Sequence, residues 1–263
     1  MKHIIPFSII LFGLASCSDD KIEPAGNAVA IQLTSYPLTI GNEWHYKTQV
    51  AVTDSAGNSI QADNYENWRT VIADTTLLGL NASKISWFDS SYSGSTWLSH
   101  GYYANQPDGF FGLAEDGSSS MLALRPSGGA RMGTRPQLLS VYGERTMSAD
   151  SLFIPDTSLQ FLKFPSSVSD IWRSHEYGHG LDYKRKWISY ETAVTPAGPF
   201  NCIKLQIFQD EDGNDLPDSN SMEIFQYFSV KGLVKETRHI RLTFNDGSTG
   251  FSDQVSELIH LNF

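Results

Sequence analysis

The sequence has 263 residues, which is enough chain to bury the core of one large domain or of two small ones. Hydrophobic residues make up 40% of it and aromatic residues 12%, so the composition excludes an intrinsically disordered protein. The formal net charge is −10, and the sequence contains no basic block. This charge balance argues against nucleic acid and anionic lipid headgroups as partners.

The first residues follow the order of a bacterial export signal. Lys2 supplies a positive charge, and the apolar run from Ile4 to Leu14 is too short to stay in a bilayer as a permanent span. The run ends in Leu14-Ala15-Ser16-Cys17, which resembles the lipobox at which a lipoprotein precursor is cut and acylated. An ordinary secretory signal that is cut after Gly13-Leu14-Ala15 is the alternative.

The lipobox resemblance implies where the protein is held. Residues 1–16 would be a signal peptide, Cys17 would carry the lipid, and residues 17–30 would form a flexible tether. Because Ser18 rather than an aspartate follows the cysteine, the resemblance favours transfer to the outer membrane over retention in the inner one. We therefore expect a cell-envelope protein in the outer membrane, surface-exposed or facing the periplasm. Its membrane partner would be reached through the acyl chains on Cys17.

Residues 31–263 are predicted to form a single β-rich domain. Its first strand is the clearest, because bulky residues alternate there with polar ones, which is the period of a strand with one buried face. The residues expected on the buried face are Trp44, Tyr46, Thr48, Val50 and Val52. Gly41-Asn42 predicts a turn before this strand, and residues 54–58 predict a turn after it.

Further short strands recur at intervals of about ten residues, with Gly, Asn, Asp and Pro between them. In the second strand Trp68, Thr70 and Ile72 are expected to face the core, with Arg69 opposite. Later strands are predicted at residues 188–194, 203–207, 224–228, 240–244 and 259–263, a long loop at 118–135 and one or two helical turns at 137–144. The predicted fold class is therefore mainly β, an antiparallel sandwich, barrel or half-barrel with little helix.

Three segments resemble a set of uncharacterised bacterial surface lipoproteins. The first runs from Pro37 to Tyr46 and fits Pro-Leu-x-x-Gly-Asn-x-Trp-x-Tyr, the opening of their mature domains. The others are residues 196–202, where Pro199 departs from the usual β-branched residue, and Gly232-Leu233-Val234-Lys235. These motifs are structural, so the resemblance implies an all-β body and no particular activity.

The sharpest catalytic candidate is His175-Glu176-Tyr177-Gly178-His179, which fits the pattern His-Glu-x-x-His. In zinc hydrolases of that type the two histidines lie one helical turn apart and bind zinc, while the glutamate activates water. Glycine costs a helix about 1 kcal/mol per residue, and Gly178 lies inside the motif. We therefore interpret the segment as a polar loop between strands. A zinc site at His175 and His179 is the alternative.

A second metal-site pattern lies further along the chain. Asp210, Asp212 and Asn214 alternate as at the start of a calcium loop. Ser221 stands where such a loop needs a bidentate glutamate, so a solvated acidic turn is the preferred interpretation.

Scattered histidines and the second cysteine are expected to have structural roles. His45, His239 and His260 fall on the polar faces of predicted strands, and they could converge if the first and last strands are neighbours. Cys202 has no partner for a disulfide once Cys17 carries lipid, and its apolar neighbours predict a buried, inert thiol.

Aromatic residues are numerous enough for a surface that stacks on sugars, but most are expected in the core, where large rings supply much of the burial. The residues concerned are Trp68, Trp87, Trp97, Tyr102, Tyr103, Phe110 and Phe111. Neither a Gly-x-Ser-x-Gly elbow nor a phosphate loop is found, so we predict no catalytic residue and no cofactor. The predicted function is a non-catalytic binding or accessory module for a glycan, a protein or a small ligand. The first alternative is the zinc hydrolase at His175-Glu176-x-x-His179, and the second is a carrier of an apolar ligand.

Overall fold

The computed structural model describes residues 29–90, 96–116, 152–153, 159–176, 182–210, 212–218, 222–244 and 246–263. The predicted signal peptide, Cys17 and the tether up to residue 28 lie outside these ranges, as do the predicted loop at 118–135 and the predicted helical turns at 137–144. A search of the described ranges finds no helix that is long and apolar enough to cross a membrane.

The described residues form thirteen β-strands and no helix, which confirms the prediction of a mainly β, antiparallel body. The strands are β1 (Glu43–Asp54), β2 (Ser59–Leu77), β3 (Leu80–Ser90), β4 (Thr96–Gln106), β5 (Gly109–Asp116), β6 (Leu152–Phe153), β7 (Leu159–Lys163), β8 (Ile171–Glu176), β9 (Asp182–Thr195), β10 (Gly198–Gln209), β11 (Glu223–Ser229), β12 (Gly232–Thr243) and β13 (Thr249–Asn262).

The strands belong to one sheet, in the order β6-β5-β4-β3-β2-β1-β13-β12-β11-β10-β9-β8, and β7 also pairs with β5. Strands that are consecutive in the sequence are neighbours through most of the sheet, and the pairing of β1 with β13 joins its two halves. The sheet curls into a nearly closed barrel, which is one of the three predicted architectures.

Side chains bridge the gap between β7, which pairs with β5 near one end of the strand order, and β8 at the other end. Trp172 of β8 donates its Nε1–H to the carbonyl of Gln160 on β7, at 3.1 Å. Arg185 of the next strand, β9, donates from Nη1 to the carbonyl of Phe161, at 3.2 Å. These bonds satisfy carbonyl groups of β7 that an open sheet edge would leave unpaired.

The segment of residues 29–42 crosses one end of the barrel, which we call the plugged end. The backbone of Leu33 exchanges two hydrogen bonds with Ser166, at 2.7 and 3.0 Å. The backbone of Tyr36 exchanges two more with the side-chain amide of Asn105, both at 2.8 Å. The segment thereby places the side chains of Leu33 and Tyr36 in the hydrophobic core.

Residues 37–46 pack against the turn between β11 and β12 at the plugged end. Trp44 donates its Nε1–H to the carbonyl of Lys231 at 2.6 Å, and the Tyr46 hydroxyl donates to the carbonyl of Leu233 at 2.8 Å. Gly232 has a φ of +95°, and a Cβ added there would lie 3.0 Å from Trp44 Nε1. The turn thus needs glycine for both conformation and space. These contacts therefore join the start of β1 to the turn between β11 and β12.

The faces of β2 are the reverse of the prediction. Val71 is fully buried and Ile72 is 41% exposed, so the inner face carries Asn67, Arg69 and Val71. The reason is register: Trp44 of β1 lies opposite Arg69, and partners in an antiparallel pair point to the same face of the sheet.

Candidate functional site: the barrel interior

A row of polar side chains crosses the inner face of five adjacent strands, from β11 through β12, β13 and β1 to β2. In the register Gln226 lies opposite Glu236, Glu236 opposite Ser256, Ser256 opposite Thr48, and Thr48 opposite Tyr65. Thr48 is 0% exposed and Glu236 is 4% exposed, so the row lies inside the barrel. We call these five residues the interior polar row.

Hydroxyl and amide groups join one half of the interior polar row. Thr48 Oγ1 and Ser256 Oγ share a hydrogen bond of 2.8 Å, and Asn67 Nδ2 donates to Thr48 Oγ1 at 2.9 Å. The side-chain amide of Gln254 donates to the Tyr65 hydroxyl and to Ser256 Oγ, both at 3.4 Å. These bonds satisfy polar groups that burial would otherwise penalise.

Glu236 is the charged member of the row. Its Oε1 accepts a hydrogen bond from Arg238 Nε at 2.6 Å, and its Oε2 accepts one from the Gln226 amide. Burial by itself would raise the pKa of Glu236, but the Arg238 guanidinium and the Gln226 amide outweigh it and hold the pKa below its ordinary value. The carboxylate is therefore ionised inside the barrel at neutral pH.

Two further charged groups face the interior from β2 and β3. The Arg69 guanidinium lies 4.9 Å from the ring centroid of Tyr46 and 4.5 Å from that of Trp87, which is cation–π geometry. Asp89 is the β3 partner of Asn67, and burial raises the pKa of its carboxyl group. The interior thus combines cations with aromatic rings.

Three N–H donors in the described part of the interior have no hydrogen-bond partner there: Nε1 of Trp87, Nε1 of Trp187 and Nε of Arg185. Arg185 and Trp187 are two residues apart on β9, so their side chains project from the same face. Burial lowers the pKa of Arg185 to about 10. Buried donors without an acceptor are rare, so each of these three needs a physical explanation.

The first two residues of the alternative zinc motif lie in a strand. His175 and Glu176 are the last residues of β8 and pair with Tyr183 and Asp182 of β9. In zinc hydrolases of this type these positions belong to a helix. The interpretation as a loop is also wrong for these two residues, because β8 continues through them, and His179 lies outside the described residues.

The histidines of the outer face have other partners. β1 and β13 are neighbours, as the convergence hypothesis required, and His45 lies opposite His260. The His45 ring, however, bonds the Glu66 carboxylate at 3.0 Å and stacks on Trp68 with 4.2 Å between ring centroids. His239 bonds the Asp253 carboxylate at 2.6 Å. One ring nitrogen of His45 and one of His239 are thus bonded to a carboxylate of the outer face.

A lysine pairs with the acidic turn that has the calcium-loop pattern. One oxygen each of Asp210, Asp212 and Asp218 lies within 4.8 Å of the others. Lys184 Nζ bonds the buried Asp210 carboxylate, and the backbone N–H of Asn214 donates to Asp210 and Asp212 at 3.0 and 3.1 Å. Although desolvation raises it, the bonds from Lys184 and the backbone lower the pKa of Asp210 to about 2. The geometry therefore favours a turn stabilised by the ammonium group of Lys184.

The thiol and most of the predicted aromatic platform are part of the core. Cys202 is fully buried, and burial raises the pKa of its thiol to about 11, which fits an inert cysteine. Tyr103 and Phe110 are also buried, with 5.3 Å between stacked ring centroids. The side chain of Trp97 lies outside the described set.

The sequence analysis missed the charged residues of the interior, although a signal for them exists. In β12 Glu236 and Arg238 occupy alternate positions in phase with Val234 and Ile240, which are both buried. A charge in phase with the apolar positions of a strand points to the buried face. Such a charge needs a partner or a function.

No protein-family model matches the sequence, and no curated protein matches it. Among solved structures, a candidate lipoprotein from Parabacteroides distasonis is 15% identical, with a TM-score of 0.42 over 86% of this chain and 97% of that one. A candidate exported protein with a YmcC-like fold from Bacteroides fragilis is 13% identical, with a TM-score of 0.42 over 88% of this chain and 99% of that one. At this level the likeness carries no argument about activity, site or location.

Proposed function

We propose that this chain is a membrane-anchored lipoprotein of the bacterial cell envelope whose barrel binds a small ligand in its interior. The observation that carries the binding proposal is the interior polar row, in which Glu236 is ionised and 4% exposed. A barrel selected only for stability would fill this space with apolar side chains, because a buried ion pair adds little to stability over well-packed hydrophobic residues. A few polar groups among apolar walls are the usual lining of a ligand site.

The interior is arranged for a ligand with two unlike parts. Near the plugged end the walls are aromatic, and Tyr36 lies with its ring centroid 5.6 Å from that of Trp44 and 4.5 Å from that of Phe110. The interior polar row crosses the same interior further along the strands. This arrangement favours a small amphipathic ligand over the protein and glycan partners that the sequence also allows.

Native mass spectrometry of the protein purified from its own cells tests the binding proposal. We expect a non-covalent mass increment of small-molecule size that disappears on unfolding. Val50→Trp, on the inner face of β1, should reduce the increment by about tenfold or more, because the added ring fills the interior. Gln49→Trp, on the exposed outer face beside it, should keep the increment. No increment in the wild type, or equal increments in the two variants, would contradict the proposal.

The anchor is tested by metabolic labelling with a fatty acid. We expect the wild type to carry label and to fractionate with the outer membrane, and Cys17→Ala to lose the label completely, because the thiol is the acceptor of the acyl chains. Cys202→Ala is the matched control and should stay labelled, because it keeps Cys17. The Cys202 thiol itself is fully buried. Label retained by Cys17→Ala, or an unacylated wild-type chain free in the medium, would refute lipid anchoring.

A further inference from the structure

Arg185 of β9 projects into the barrel beside the gap between β7 and β8. It lies opposite Trp172 of β8 and Ile207 of β10, which are both buried. Its guanidinium carbon is 5.1 Å from the ring centroid of Phe161, and its Nη1 donates to the Phe161 carbonyl at 3.2 Å. The side chain is thus held by the wall, with its Nε–H buried.

The hydrogen-bonding capacity of this group exceeds what the wall accepts. A guanidinium has five N–H donors and no acceptor, and the buried Nε–H of Arg185 has no partner in the described part of the chain. Two positions further along β9 the indole N–H of Trp187, whose side chain is 0% exposed, also lacks one. Both groups can only donate, so their complement is an acceptor.

The counter-ion of Arg185 is missing as well. Among the side chains that the structure describes, no carboxylate oxygen lies within 4.0 Å of its guanidinium, whereas Arg238 is paired with Glu236, and Lys184 with Asp210 and Asp215. Glu236 is near enough to act on Arg185 electrostatically, but its two oxygens already accept bonds from Arg238 and Gln226. A buried unpaired charge is costly, so a chain that keeps one has a use for it.

We propose that the ligand is an amphipathic organic anion whose carboxylate or phosphate group pairs with Arg185 and accepts a hydrogen bond from Trp187. This inference rests on the proposed function, because it names the chemistry of the ligand in the same interior. The apolar part of the ligand is matched by the walls next to this pair, since Trp187 lies 5.7 Å from Trp172 and 6.0 Å from Phe228 between ring centroids. The planar guanidinium suits the two oxygens of an acid group.

Calorimetric titration of the whole mature chain (residues 17–263, with Cys17→Ser) with matched probes tests this inference. Decanoate and decyl phosphate carry an acid group, decanol carries the same tail without a charge, and inorganic phosphate carries the charge without a tail. We expect the acids to bind more tightly than decanol and than inorganic phosphate. Arg185→Met should weaken binding of the acids by about tenfold to a hundredfold and leave decanol unchanged. Lys186→Met removes the neighbouring cation, on the other face of β9, and should leave the binding of the acids and of decanol unchanged.

The unliganded variants separate this role from a structural one. Arg185→Met should stay folded with little change in melting temperature, because the lost bond to the Phe161 carbonyl is offset by removal of a cation without a counter-ion, and methionine keeps the apolar stem. The inference is overturned if decanol and the acids bind equally, if inorganic phosphate binds as tightly as the acids, or if Arg185→Met binds the acids like the wild type. Those outcomes overturn the anionic ligand only, and the proposed function stands as long as mass spectrometry finds an internal ligand. If none of the probes binds and no ligand is found by mass spectrometry, the proposed function itself fails.

Discussion

Replacing Glu236 with alanine is expected to lower the free energy of unfolding by about 3–5 kcal/mol. The carboxylate is 4% exposed and accepts bonds from Arg238 and from the Gln226 amide. Its removal leaves the Arg238 guanidinium, whose side chain is 22% exposed, without its partner and the Gln226 amide without its acceptor. Urea denaturation of the mature chain, followed by tryptophan fluorescence, should show a lower midpoint at an unchanged slope.

Glu257→Ala is the matched control for this prediction. Glu257 is on β13 next to Ser256, on the outer face, where Lys235 Nζ bonds it at 2.7 Å. The side chains of Lys235 and Glu257 are 26% and 32% exposed. We expect a loss below about 1 kcal/mol, because solvent screens the pair and hydrates the remaining charge. Equal losses in the two variants would mean that the interior polar row is not desolvated.

Replacing Trp44 with alanine is expected to lower the free energy of unfolding by about 3–5 kcal/mol. The indole is fully buried, contacts the rings of Tyr36 and Phe263, and donates to the Lys231 carbonyl. Its loss leaves a cavity where residues 29–42 pack on the barrel. Urea denaturation measures the global effect, and hydrogen exchange should become faster in residues 29–42 than in the other strands.

Trp68→Ala separates this effect from the loss of any tryptophan. Trp68 faces outward, stacks on His45 and contacts Phe88 edge to face, with 4.2 and 5.2 Å between ring centroids. Because it is only partly buried, we expect a smaller loss of about 1–2 kcal/mol and unchanged exchange in residues 29–42. A Trp44 variant whose residues 29–42 exchange at the wild-type rate would contradict the role assigned to this indole.

The strand pattern was predictable because period-two alternation is a local property of the chain. The first strand has the predicted inner residues, and β10 buries Ile203, Leu205 and Ile207 as expected. In β9 the alternation is less regular, since Val194 is 69% exposed and Ala193 is buried. The pairing of β10 with β9 also has a register shift between Lys204 and Leu205, and a bulge of this kind interrupts the alternation.

The candidate site was harder to predict than the strands. Thr48 and Ser256 are 208 residues apart in the sequence, and only the pairing of β1 with β13 brings their hydroxyls together. Arg69 was placed outside because a charge usually faces solvent, but the rings of Tyr46 and Trp87 cover it inside. The His-Glu-x-x-His motif shows that a local match of residue types does not predict the backbone, because its first two residues lie in a strand.

By itself, the sequence determined the local properties of this protein: the period of its clearest strands, the turns that bound them and the all-β class. Only the tertiary structure decided which face of each strand is inside, that the sheet curls into a barrel, and that Glu236 and Arg185 face its interior. The physical reason is that alternation defines two faces but does not rank them. Register with neighbouring strands, set by contacts between residues far apart in the chain, determines which face is buried.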